Sequence, residues 1–133
     1  MHSGLAEGQV FISEFKVTEN VYNSFIAAFN DKNILHTDDS YAQSKGFKSK
    51  VMQGNILGGF LSYFIGEILP VENVIIQSQT IKYKNPFYLE EVLKFEAQVT
   101  HIFESINSLE FKYIFNDQSN KKIAMGTILI GII

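Results

Sequence analysis

The stretch Gly54–Pro70, GNILGGFLSYFIGEILP, decides the fold. Ile56, Leu57, Phe60, Leu61, Phe64, Ile65, Ile68 and Leu69 recur so densely that a helix built from them is apolar on nearly every side. Such a helix is stable when the rest of the molecule wraps it. Gly58 and Gly59 sit in its middle and are expected to let a neighbouring backbone come close. Pro70 marks its end. With Ser62, Glu67 and its glycines, the stretch is too short and too interrupted to span a bilayer.

Downstream of Pro70 the hydrophobic period falls to two. Val74–Tyr83, Glu91–Phe103, Ser108–Phe115 and Lys121–Ile132 read as four long strands. Asn85-Pro86, the segment 104–107 and the polar run 116–120 supply the turns between them. Taken in order, these strands are expected to form an antiparallel meander. Upstream, Val10–Val17 (VFISEFKV) reads as one more strand, and Thr18 as the N-cap of a helix. Val21, Phe25, Ile26 and Phe29 carry that helix to about Phe29. A polar segment, Asn30-Asp31-Lys32-Asn33, follows. Thr37 or Asp38 then caps a short helix, Asp39–Ser44, which Lys45-Gly46 closes, and the segment 47–53 is a loop. The whole pattern is α+β: a long central helix wrapped by a curved antiparallel sheet, in a single domain over residues 1–133.

Composition narrows the chemistry. The chain is 46% hydrophobic, with 12 Phe, so its core is expected to be built on flat rings. Net charge is −3, all 11 basic residues are Lys, and no basic patch suits nucleic acid. A diphosphate group would meet ammonium and backbone N–H donors, not guanidinium forks. Without Cys there is no disulfide framework, thiolate metal site or Cys nucleophile, which is compatible with a reducing cytosol. The segment 1–9 lacks the apolar run of a signal peptide, so the expected location is cytoplasmic.

Few side chains can exchange protons at neutral pH. Among the three histidines, His2 falls in the N-terminal tail and His101 in a strand, where a structural or surface role is expected. His36 differs, because it follows a polar loop and precedes a helix start, with Asp31 five residues before it. A carboxylate beside an imidazole can order a water and pass protons. Spacing alone favours the plainer reading, in which Asp31 caps a turn and His36 packs on the core. Gly54 heads the buried helix, where unpaired N–H groups and the helix dipole favour an oxyanion. On spacing alone it could equally serve only a tight turn.

Together these residues resemble the MaoC-like family of hot-dog proteins, which includes (R)-specific enoyl-CoA hydratases. That family's loop reads roughly S-G-D-x-N-P-[LI]-H-x-D, and here Phe29–Asp38 reads FNDKNILHTD. The family's apolar pair followed by H-G, opening the central helix, is matched by Val51-Met52-Gln53-Gly54. Its aromatic or basic stretch, Pro, spacer and G-D turn are matched by the run 82–92, KYKNPFYLEEV. The resemblance covers about Gly8 to Ile130. It implies a hot-dog fold, with Asp31 and His36 as the acid–base pair. Gly54 would be the glycine whose N–H polarises a thioester carbonyl, and Asn33 the residue that braces the loop. Asn33, Gln53 and Ser62 would be the substrate-contacting positions by the same comparison, although Ser62 equally suits a small helix-packing residue. Asn30 stands where the family has Gly, Ile34 where it has Pro, Gln53 where it has His, and Glu90 where it has Gly. Asn tolerates the left-handed backbone the first of these needs.

The implied activity interconverts trans-2-enoyl and (R)-3-hydroxyacyl thioesters by syn addition or elimination of water, making the chain a hydro-lyase that needs no metal and no cofactor. The thioester would be carried by coenzyme A or acyl carrier protein, and the chain would pair as a homodimer or higher oligomer, with neither nucleic acid nor membrane as partner. The alternatives are a hot-dog acyl thioesterase, or a non-catalytic acyl-binding or dimerisation module.

Overall fold

A computed structural model describes residues 3–133, so the reading of His2 lies outside the described residues. Strand β1 (Val10–Lys16) leads into helix α1 (Glu19–Phe29), and Thr18 caps that helix by accepting from the Val21 amide. Tyr22 is the buried residue of α1, with Val21, Phe25 and Ile26 partly buried beside it. Phe29, expected to continue that stripe, is instead 70% exposed. Two short helices follow, α2 (Ile34–Thr37) and α3 (Asp39–Ser44), and Asp38 caps the second. α2 is a single helical turn, too short to show a period in the sequence.

The central helix, α4 (Ile56–Tyr63), runs on into a wider π-turn, Phe64–Ile68, in which the Leu69 amide reaches the Phe64 carbonyl. Ile56, Leu57, Leu61, Phe64 and Ile65 are buried. One face is nonetheless open. Gly59, Ser62, Tyr63, Gly66 and Glu67 are exposed, because the small and polar residues of this stretch share one side at helical spacing. Gly58 and Gly59 do not admit a neighbour as expected, since a Cβ on either would meet nothing within 4 Å.

The sheet wraps this helix. It contains β2 (Val74–Gln79), β3 (Lys82–Tyr83), β4 (Val92–Phe103), β5 (Ser108–Asn116) and β6 (Lys122–Ile132), in the order β1-β4-β5-β6-β2, with β3 also paired to β6. All pairings are antiparallel. Only β4, β5 and β6 form the expected meander. β2 crosses to the far edge beside β6, and β1 covers the other side of β4.

The expected strand Val74–Tyr83 is broken at Thr80. There the Thr80 carbonyl turns aside to accept from the Tyr113 hydroxyl at 2.6 Å. The Thr80 hydroxyl takes over as acceptor for the Thr127 amide at 3.0 Å. A Cβ on Gly126 would lie 2.0 Å from the Thr80 oxygen, so this crossing needs glycine. The core between helix and sheet is a ring cluster. Phe64 meets Phe95 at 5.0 Å and Phe111 at 5.6 Å between centroids, and Phe95 meets Phe115 at 5.0 Å.

Candidate active site

The loop between α1 and α3 is built by side chains that cap backbone. α1 ends at Asn30, whose φ of 58° is left-handed, and its amide closes the helix on the Ile26 carbonyl. The chain then turns at Asp31, whose Oδ1 accepts from the Asn33 amide at 3.3 Å. Asn33 in turn caps α2, its Oδ1 accepting from the Leu35 amide at 3.0 Å. That cap makes the next residues helical and places His36 on the turn.

His36 is held from two sides. The Tyr22 hydroxyl donates to its carbonyl at 2.6 Å, and its Nδ1 lies 2.7 Å from the Val51 carbonyl oxygen. A carbonyl only accepts, so Nδ1 carries a proton, and in the neutral form of the ring Nε2 is bare. That Nε2 faces Asp31 Oδ2 at 3.8 Å. The distance exceeds hydrogen-bonding range, so both atoms keep lone pairs for a third group. The imidazole is largely buried, with 19% of its side chain exposed against 43% for Asp31. Proton chemistry at this pair is thus backed by protein on one side and open on the other.

The segment carrying Gln53 and Gly54 is pinned beside the pair. Val51 bridges to Tyr88, and the Met52 amide donates to the Phe87 carbonyl. Gln53 is buried, and its Nε2 donates to the Asp31 carbonyl at 3.2 Å, while its Oε1 finds no partner among the described residues. It therefore supports Asp31 from behind. The first amides of the helix to bond back are those of Ile56 and Leu57, to the Gln53 and Gly54 carbonyls. The Gly54 N–H is left without a backbone acceptor among the described residues. A Cβ at Gly54 would lie 2.8 Å from the Tyr83 ring, so glycine here also makes room for that ring.

Two cavities meet at this point. An open groove of about 1210 Å³ runs from Asp31 and Asn55 between α1, β1 and the central helix, lined by Phe15, Val21, Phe25, Phe60 and Tyr63. A second cavity of about 560 Å³ contains Asp31, His36, Gln53, Gly54, Asn55 and Tyr83. Asp31 and Asn55 line both. The junction of an apolar slot with a more polar mouth suits a substrate with one oily end and one polar end.

The structure thus brings together Asp31, His36, Gln53 and Gly54. It does not bring in Asn33, whose side chain is spent on capping, nor Ser62, which lies on the exposed helix face and lines neither cavity. Asn55 and Tyr83 are the site residues the sequence reading passed over. Tyr83 lies shortly before Pro86, and its alternation with Lys82 and Lys84 was the available signal.

No family model matches the chain. Among curated proteins it is similar to an (R)-specific enoyl-CoA hydratase of Rhodospirillum rubrum, 28% identical over 96 residues. That match takes in 72% of this chain and 67% of the relative. A second (R)-specific enoyl-CoA hydratase, from Aeromonas caviae, is 28% identical over 61% of this chain. The match spans 60% of that relative, less than two thirds of its length. Among solved structures, the (R)-hydratase of A. caviae superposes with a TM-score of 0.89 at 22% identity over 98% of both chains. A MaoC-like dehydratase of R. rubrum superposes at 0.77 with 18% identity, over 96% of this chain and 93% of that one.

The chain has the hot-dog fold of these MaoC-like proteins. Within this fold, α1, β1 and the central helix wall the groove, and the loop carrying Asp31 and His36 lies at its mouth. His101, by contrast, is exposed on β4, stacked on Phe103 and paired with Glu110 at 3.1 Å, away from the mouth.

Proposed function

We propose that this hot-dog protein is a hydro-lyase that interconverts trans-2-enoyl and (R)-3-hydroxyacyl thioesters. The observation that carries the reading is the meeting of three groups at one cavity: the bare Nε2 of His36, the facing Asp31 carboxylate and the unpaired N–H of Gly54. The names of the relatives point to the same reaction. In hydration, Asp31 and His36 hold a water between them. As its oxygen bonds to C3 of the enoyl group, one of its protons passes to the pair. The π electrons move toward the thioester oxygen, where the Gly54 N–H meets the growing charge. Loss of one such donor typically costs about 3 kcal/mol of barrier. The proton then returns to C2 on the same face, so that one water is added and nothing else changes. The acyl tail extends along the Phe-lined groove, and the carrier arm leaves past Pro86 and Phe87.

The carrier is coenzyme A or acyl carrier protein. We place the protein in the cytoplasm as a homodimer whose subunits join at the free outer edge of β2, where Ile75 is exposed. Among the described residues, no helix is long and apolar enough to cross a membrane. The test is product analysis. Given crotonyl-CoA and longer enoyl-CoA esters, the protein should yield (R)-3-hydroxyacyl-CoA with no free thiol. Release of free thiol without a hydroxyacyl product would instead establish a thioesterase.

A further inference from the structure

The mouth of the site contains a hydroxyl that the reaction above does not use. Tyr83 lies on β3, which is held by pairing with Met125 and Ala124 of β6 and, just beyond, by the Lys84 amide on the Ile123 carbonyl. Its ring edge and hydroxyl cover the side of Gly54 that lacks a side chain. The hydroxyl oxygen lies 3.2 Å from where a Gly54 Cβ would stand. Tyr83 and Gly54 line the same cavity as Asp31 and His36. The only partner of this hydroxyl among the described residues is Asn55 Oδ1 at 3.5 Å, the outer limit of a hydrogen bond. Its proton is therefore available to a better acceptor. Partial burial raises the phenol above its usual value, so it stays protonated and donating at neutral pH.

We propose that the Tyr83 hydroxyl is a second donor to the thioester carbonyl oxygen, completing with the Gly54 N–H a two-donor oxyanion site. The inference rests on the hydratase reading. It gives the glycine a double purpose: Gly54 supplies one donor and, by lacking a side chain, admits the other. It also explains why a tyrosine ring is packed into the mouth of the site from a strand otherwise remote from the dyad. A donor fixed on a paired strand needs no rearrangement when charge develops, which is what makes such groups effective.

The test is Tyr83→Phe, which keeps the ring against Gly54 and removes only the hydroxyl. We expect kcat for enoyl-CoA hydration to fall at least tenfold, with KM and melting temperature little changed. Wild-type kcat in this variant would overturn the proposal while leaving the hydratase reading intact. A second measurement does not need turnover. In an Asp31→Asn background, a conjugated dienoyl-CoA bound at the site should absorb further to the red than in water, because its carbonyl is polarised. Adding Tyr83→Phe should shrink that shift, and an undiminished shift would contradict a role for the hydroxyl. If wild-type protein failed to hydrate any enoyl thioester, the reaction assignment would fall, and the spectral shift would still decide whether Tyr83 touches the carbonyl.

Discussion

At the scale of single residues, Asp31 and His36 stood out as candidates through the family likeness of the loop FNDKNILHTD, few other groups on the chain being able to exchange protons, and the fold sets both on one cavity. What the sequence could not give was the state of the imidazole. That depends on the Val51 carbonyl, fifteen residues away and brought close only by the folded loop. Gln53 is a similar case. The family resemblance made it a candidate for touching substrate, whereas its amide reaches back to the Asp31 carbonyl. Gly54 shows how a position can be readable while its surroundings are not. Its place before the buried helix was readable, but the Tyr83 ring against it was not, since the two are joined only through the sheet. A methyl group at Gly54 must push that ring aside. Gly54→Ala should therefore lower kcat by tenfold or more while costing about 1 kcal/mol of stability or less, because the obstructing atoms are the far end of one side chain. Paired kinetic and denaturation measurements would check this. A large loss of stability with normal kcat would mean that the glycine serves only packing.

At the scale of elements, local chemistry was the best guide. Thr18 and Asp38 cap the helices that the sequence places behind them. Asn30, the departure from the family's glycine, sits at φ 58°, as its tolerance for left-handed backbone allows. Its substitution by alanine should destabilise the protein by about 1 kcal/mol, whereas Asn30→Gly should be close to neutral. Equal melting temperatures for the two variants would contradict the role given to the cap. Elements whose shape is set by distant partners were not legible. The break between β2 and β3 follows from the Tyr113 hydroxyl capturing the Thr80 carbonyl over Gly126, three groups from three strands or their margins. The short helix α2 was missed because one Asn cap creates it, and four residues are too few to show a period.

At the scale of the molecule, the alternation after Pro70 and the dense apolar helix before it were enough to give α+β with a wrapped helix. Strand order was not, because alternation says which face is buried and nothing about which edge a strand joins. Aromatic burial also sets a property of the whole. Tyr22, Tyr83 and Tyr113 are each raised above the ordinary tyrosine value, in every case chiefly by burial. The folded state thus holds protons that the unfolded chain releases once pH exceeds about 10. Stability from these groups is fully present below that value and declines as pH rises through it. Denaturant midpoints measured from about pH 8 to 11 should fall at the alkaline end. Tyr113→Phe should flatten that fall, and an unchanged slope would contradict the assignment.

The central claim is that Asp31 and His36 form one proton-transfer pair on the floor of the mouth. Steady-state hydration of an enoyl-CoA by Asp31→Asn and His36→Ala, each shown to be folded by its melting curve, tests it most directly. Each variant should lose at least a hundredfold in kcat, since a positioned acid or base contributes about 10² to 10⁴. The double variant should lose little more than the worse single one, because the two act as a unit. Wild-type turnover in either folded single variant would contradict the account.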